Sequence, residues 1–362
     1  MQVFYLCRIG IVMKIMLRKI LGVCVFLIVQ FFVRLDIYAQ DTQYSQFYAA
    51  PIYLNPALTG ASELTRIGVN YRNQWPGLDQ SFNSYSAYID HYIMDYNSGI
   101  GLIFNGSQES MAQLSTNEIG LSYAYRLQIS QDIFFRVGGQ VSFMQRNAFF
   151  SDLVFGSQID IVNGTIGGIT DELDGVPLDS KYSFMDYAVG GLFYTNKYWL
   201  GVSAHHLSEP NRSFVEGQIS KLPMKLSAQG GVKFDLGHGG RDYFTHAYSE
   251  RSISFAFNYK QQDPFNQLDL GAQVFLEPLV LGLWYRGLPT KNSLPNNEAV
   301  IGLVGVSLPS GLDIGYSYDV TVSKLGQKNS GGAHELSIRY TFLWGDPKSR
   351  NQRGRVIPCF KY

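Results

Sequence analysis

The sequence predicts an all-β protein, a transmembrane antiparallel up-and-down β-barrel of about fourteen strands with an ordered N-terminal lead. Three observations predict it. Polar and apolar residues alternate with period two along most of the chain, which sets one face of each strand in an apolar medium and the other in a polar one. The connections between strands alternate in length, as they do in outer-membrane barrels with tight periplasmic turns and long outer loops. After residue 39, no uninterrupted apolar run approaches the roughly eighteen residues of a spanning helix. A closed barrel also satisfies every backbone group in lipid, whereas a soluble sandwich has no reason to sort its loops by parity.

Composition points the same way. Aromatic residues reach 14%, and the 24 Tyr, 24 Phe and 37 Gly suit strands and glycine turns better than helices. The 29 Lys and Arg balance the 29 Asp and Glu, which removes the electrostatic case for nucleic acid.

Residues 1–39 read as a signal peptide. Arg8, Lys14, Arg18 and Lys19 precede the apolar run Ile20–Val33, and Ile37-Tyr38-Ala39 offers a cleavage site before Gln40. An uncleaved membrane anchor is the alternative, and translation from Met13 or Met16 is open as well. Cleavage removes Cys7 and Cys24, and the remaining Cys359 cannot form an internal disulfide.

Residues 40–64 form a lead, expected on the periplasmic side. Pro51, Pro56 and Gly60 interrupt any regular element there. The rings of Tyr44, Phe47, Tyr48 and Tyr53 in so short a stretch predict packing against the barrel, and they are candidates for binding a partner.

The barrel is expected over 65–343, with a basic periplasmic tail over 344–362. Its strands fall at Thr65–Trp75, Ser81–Ile93, Ser98–Ser107, Glu118–Leu127, Asp132–Arg146, Tyr182–Thr195, Tyr198–Leu207, Pro223–Leu236, Ser252–Lys260, Leu268–Leu276, Leu279–Arg286, Val300–Leu308, Leu312–Val320 and Gly332–Phe342. Two acidic or glycine-rich excursions interrupt them, Asn147–Lys181 and Gly237–Arg251. The second breaks the parity of the loops, since it falls on the short-turn side. It is a floppy insertion, an extension of the strands beyond the membrane, or a contact for a periplasmic partner through Arg241, Tyr243, Phe244, Tyr248 and Arg251, residue types enriched at interfaces. In Ser252–Lys260 the alternation sends Ile253, Phe255, Phe257 and Tyr259 outward. Replacing Phe255 with Arg is expected to cost roughly 2–4 kcal/mol, and Ala256, on the lumen side, is expected to tolerate Arg better.

The polar faces carry Arg66, Arg72, Glu118, Arg126, Glu335 and Arg339, which are expected to face the lumen. There they either tune a pore or pair and fill the interior. No cofactor, metal or catalytic role is expected. His205-His206 are adjacent in a strand and so point to opposite faces. His334-Glu335 lacks the second histidine of a zinc-protease helix. Asp171–Gly175 lacks the full spacing of a calcium loop and reads as a solvated acidic turn.

The lead Gln43-Tyr-Ser-Gln-Phe-Tyr48, then Pro51-Ile-Tyr-Leu-Asn-Pro56, Gly60 and Tyr71-Arg-Asn-Gln-Trp75, resembles the start of the PorP/SprF family of the type IX secretion system. The closing strand, opening Ala333-His-Glu-Leu336, and the Pro358-Cys-Phe360 tail resemble that family's ending. The resemblance implies an integral outer-membrane barrel that serves secretion or surface attachment of large adhesins, in some members linked to gliding. The partners it implies are outer-membrane lipid, other secretion components on the periplasmic side and a secreted or surface-anchored adhesin-like protein. Asn147–Lys181 matches no motif of the family. A passive porin is the alternative function, and it needs no aromatic, proline-punctuated lead.

Overall fold

The computed structural model describes residues 41–344 apart from 79–80, 111–112, 150–158, 161–164, 167–178, 215–218, 242–247, 264, 288–296 and 324–325. Its strands are β1 Thr65–Gln74, β2 Phe82–Ile93, β3 Ser98–Glu109, β4 Leu114–Gln128, β5 Phe134–Phe149, β6 Ile159–Asp160, β7 Thr165–Ile166, β8 Asp179–Tyr194, β9 Tyr198–His205, β10 Lys225–Arg241, β11 Tyr248–Gln262, β12 Phe265–Leu276, β13 Leu279–Gly287, β14 Asn297–Ser307, β15 Leu312–Thr321 and β16 Ala333–Phe342. All except β6 and β7, which pair only with each other, form one closed antiparallel barrel. It closes where β1 meets β16, from Thr65 opposite Phe342 to Gln74 opposite Ala333. Closure pairs the backbone of every strand on both sides, so no edge is left for lipid to contact.

The period-two pattern sets the two faces. On β1, Ile67, Val69 and Tyr71 are 42%, 50% and 47% exposed, while Arg66, Asn70 and Arg72 between them are buried. On β16, Leu336, Ile338 and Tyr340 face outward and Glu335 and Ser337 face inward. An apolar outside around a polar inside is the arrangement a bilayer stabilises. Among the described residues, no helix is long and apolar enough to cross a membrane.

Several connections are shorter than the sequence predicts because the strands run further. β3 ends at Glu109 and β4 begins at Leu114, so most of the connection expected between Ser98–Ser107 and Glu118–Leu127 is ladder. Gln262 pairs with Phe265, which leaves only 263–264 between β11 and β12 on the long-loop side. Within Gly237–Arg251, Asp235 pairs with Ser252, His238 with Glu250 and Arg241 with Tyr248, with register shifts between these pairs. Strand extension accounts for most of that excursion. Polar strand ends of this kind project past the apolar band, where alternation no longer marks them. The Asp171–Gly175 run lies outside the described residues.

Candidate functional site in the barrel lumen

The lumen holds the lead. Its local shape follows from its breakers. Pro51 opens the short helix Pro51–Leu54, where a missing N–H costs nothing. Asn55 then caps the turn Pro56–Leu58, its side-chain oxygen accepting from the Ala57 N–H at 2.9 Å. Gly60 takes a left-handed φ of +67°, and a Cβ there would lie 2.7 Å from Gly99 Cα. Only glycines allow these two backbones to come so close.

The lead crosses the lumen from end to end. Asp41 sits at the long-loop rim, bonded to Lys225 (2.7 Å) and His206 Nε2 (2.7 Å) and accepting from Gln262 Nε2 (3.1 Å). At the other end, Gly60 donates to Asp90 and Glu63 pairs with Arg126 near the short turns. The segment expected as a periplasmic lead therefore lies inside the barrel over its described length.

The charges of the wall are paired through the lead. Glu335 accepts the main-chain N–H groups of Ser45 (2.6 Å) and Gln46 (3.0 Å), and Arg72 bridges Glu335 (3.4 Å), Asp319 (2.8 Å) and Ser45 Oγ (2.6 Å). Arg286 continues the chain of pairs to Asp319 (3.2 Å) and Asp269 (3.0 Å) and donates to the Tyr44 carbonyl (3.2 Å). Arg66 grips Asp90 through two nitrogens and the Leu58 carbonyl at 3.0 Å. Arg136 donates to the carbonyls of Ala57 and Thr59. Charges this deep are tolerable when each has an opposite charge or a set of hydrogen bonds about it, as Arg136 has in two carbonyls of the lead.

Of the residues predicted to face the lumen, Arg66, Arg72, Arg126 and Glu335 are buried and bonded to the lead. Arg339 pairs with Asp313 at 2.9 Å, and Glu118 accepts from Asn105 (2.8 Å) and Gln140 (3.0 Å), both on the wall itself. Tyr44, Phe47 and Tyr48 are buried. Phe47 meets Trp284 edge-on at 5.2 Å, Tyr44 meets Tyr53 at 5.3 Å, and the Tyr53 hydroxyl donates to the Thr42 carbonyl at 2.6 Å. These rings contact the barrel wall and one another, which stabilises the lead in place. Arg241 and Tyr248 pair at the ends of β10 and β11, Arg251 is exposed on β11, and Tyr243 and Phe244 lie outside the described residues.

Two sequence readings need correction. His205 and His206 are both buried, because β9 ends at His205 and His206 turns to a φ of +58°. His206 Nδ1 then meets Asp186 at 2.8 Å while Nε2 meets Asp41. Burial alone would lower its pKa, but Asp41 and Asp186 outweigh that and raise it to about 9. Burial opposes the Asp41 charge likewise, yet His206 and Lys225 hold its carboxyl well below the usual range. Ala256 is no tolerant lumen position either, since it is buried in the same apolar cluster as Phe47 and Trp284.

Sequence reasoning missed Asp41, Asp90, Arg136, His206, Lys225, Asp269, Arg286 and Asp319 as members of the site. Strand residues such as Asp90 and Asp319 lie on polar faces, a signal open to reading. Their partners come from distant strands or from the lead, and spacing holds no record of that. No group of three or more His, Cys, Asp or Glu that could hold a metal occurs among the described residues.

A closed fourteen-strand barrel, apolar outside and crossed by its own N-terminal segment, defines the class as a plugged outer-membrane β-barrel. The sequence signature of the type IX secretion system membrane protein PorP/SprF matches residues 37–340, and the chain belongs to that family. Solved structures similar in fold include a Pseudomonas aeruginosa FadL homologue, with 14% identity and a TM-score of 0.41 over 80% of this chain and 93% of that one. A deletion mutant of the monoaromatic hydrocarbon channel TodX has 11% identity and a TM-score of 0.41 over 84% and 95%. A triple mutant of the Rhodopseudomonas blastica porin has 7% and 0.32 over 77% and 99%. No curated protein sequence matches this chain.

Proposed function

We propose that this outer-membrane component of the type IX secretion system supports secretion or surface attachment of large proteins such as adhesins, in a gliding-related setting, by binding protein partners. Residues 1–39 act as its signal peptide and 344–362 as a periplasmic tail. The observation that supports this reading over a passive porin is the occupied lumen. A solute pore needs an open polar channel, whereas here Arg66, Arg72, Arg126, Arg136 and Arg286 are all engaged with the lead or with carboxylates beside it. Periplasmic components of the machinery dock through the Gly237–Arg251 excursion, by way of Arg241, Tyr243, Phe244, Tyr248 and Arg251. The client is an adhesin-like protein met at the lumen or the outer loops.

The test is affinity retrieval from detergent-solubilised envelopes with the full chain and with Tyr243, Phe244 and Tyr248 changed to Ser. The full chain is expected to bring down other secretion components, and the triple variant to lose the periplasmic ones while its barrel still folds. Retrieval of lipid and detergent alone, together with steady solute conductance in planar bilayers, would favour the porin.

A further inference from the structure

The wall recognises the lead largely through its main chain. The N–H groups of Ser45 and Gln46 donate to the two oxygens of Glu335, that of Gly60 to Asp90 (2.6 Å) and that of Asp41 to Gln262 (3.1 Å). The carbonyls of Tyr44, Leu54, Ala57, Leu58 and Thr59 accept from Arg286, Ser203, Arg136, Arg66 and again Arg136. Every polypeptide carries these groups, so a surface of this kind depends only weakly on the side chains it receives. Carboxylates placed for consecutive N–H groups and guanidinium groups placed for carbonyls are complementary to a peptide.

A second, independent observation concerns what the lead leaves unused. Both carboxamide atoms of Asn70, Gln229 and Asn258 and the hydroxyl of Ser86 are buried without a hydrogen-bond partner among the described residues. Gln229 and Asn258 are cross-strand neighbours on β10 and β11, and Asn70 and Ser86 on β1 and β2. The Gln229 carboxamide lies over Gly201, where a Cβ would come within 2.8 Å of it and 3.1 Å of the Asn55 carboxamide of the lead. Polar groups buried without a partner in the protein oppose the state that buries them, and they gain partners once it opens. The wall therefore has hydrogen-bonding capacity for an occupant other than the lead.

The geometry points to the lumen as a binding site for an extended polypeptide, with residues 41–64 as its resident occupant and a segment of the secreted client as its second. This deepens the secretory role proposed above and rests on it. The lead is tethered by the chain where β1 begins at Thr65, at the short-turn rim. Its far end is held by Asp41 against His206, Lys225 and Gln262, so exchange begins at the long-loop rim.

The test locks that end. Thr42 Oγ1 and Ser84 Oγ lie 3.5 Å apart, so Thr42→Cys with Ser84→Cys, in a Cys359→Ser background, places two thiols for a disulfide in the full chain. The probe is a synthetic peptide of the sequence Asp41–Leu64 carrying a photoreactive leucine at position 54, with a scrambled version beside it. Both are used near millimolar, because the tethered lead competes at an effective concentration of about that order. The reduced protein is expected to capture both peptides at lumen-facing wall residues, within about tenfold of each other, and oxidation to lower capture at least tenfold. If the pair prevents folding, Asp41→Asn, which loosens the rim instead, is expected to raise capture several-fold. Equal capture in the open and locked forms, no capture by the open form, capture of the native sequence alone, or no gain from Asp41→Asn would each overturn the inference. Partner retrieval from envelopes is a separate readout, so an empty lumen in this test leaves the secretory role standing and removes only the peptide site.

Discussion

Replacing Phe255 with Arg tests which face of β11 meets lipid. The ring is 47% exposed on the outer face, between Ile253 and Phe257, and meets Phe234 of the neighbouring strand edge-on at 6.3 Å. The outward apolar run from Ile253 to Tyr259 centres one residue away, which on a tilted strand is about 3 Å from the middle of the band. Arg at that depth is expected to cost most of the roughly 2–4 kcal/mol measured for midplane positions. Ala256→Arg fails by another route. It overpacks a lumen cluster, at about 1–3 kcal/mol, and adds an unpaired charge, and both are relieved by expelling the lead. Urea titration of protein refolded into phosphatidylcholine vesicles, followed by heat-modifiable gel mobility, gives the first effect. Protease cleavage of the lead in the intact barrel gives the second. The reasoning is refuted if Phe255→Arg unfolds within about 0.5 kcal/mol of the parent, against the expected 2–4, or if that variant and not Ala256→Arg frees the lead.

Glu335→Gln removes the charge that accepts two N–H groups of the lead and pairs with Arg72, so residues 41–50 are expected to become cleavable while the barrel persists; an unchanged digestion pattern would contradict this. The rim contact carries a pH signature. His206 is raised from an ordinary 6.5 to about 9, so its contribution is complete below about 6.5 and is lost as pH rises through 9. Asp41 is depressed, so its contribution is present above its ordinary 3.8 and is lost as pH falls through its lowered value. Protection factors at Asp41–Gln43, the exchange rate taken relative to the intrinsic rate at each pH, are expected to be greatest between those limits and to fall above pH 9, and His206→Gln should abolish the alkaline step. Gly138→Val would bring a Cβ within 2.4 Å of the Ala57 nitrogen, a backbone clash that is expected to displace the turn Pro56–Leu58 and raise cleavage there without opening the barrel.

The barrel was legible because a strand in lipid must alternate, and Ile119, Leu121, Tyr123 and Tyr125 on one strand cannot be arranged otherwise. Loop parity held where short turns carry Asn97 or Gly311. It failed where polar strand ends outrun the bilayer, as at His238 and Glu250, since no apolar face marks residues beyond the lipid. The crowded rings pointed to packing for the lead, but its path through the barrel left no trace in the sequence. That path rests on Asn55 reaching Gly191 and Val202 and on Glu335 reaching Ser45, contacts between positions hundreds of residues apart or on far strands. Glycines at 99, 138 and 190 read as ordinary strand glycines. Their role, leaving room for the backbone or side chains of the lead, shows only in three dimensions.

The most direct test of the central claim, that residues 41–64 run through the lumen from one rim to the other, is cysteine cross-linking in outer membranes of two pairs in the Cys359→Ser chain. Thr42→Cys with Ser84→Cys reports the long-loop end, and Thr59→Cys with Ser122→Cys, whose native oxygens lie 2.7 Å apart, reports the lower half. Mild oxidation followed by mass spectrometry of the digest is predicted to recover both disulfides in folded, heat-modifiable barrels. A folded barrel in which the lower pair forms and the upper pair stays reduced would contradict the account, because the lead would then enter the lumen without crossing it.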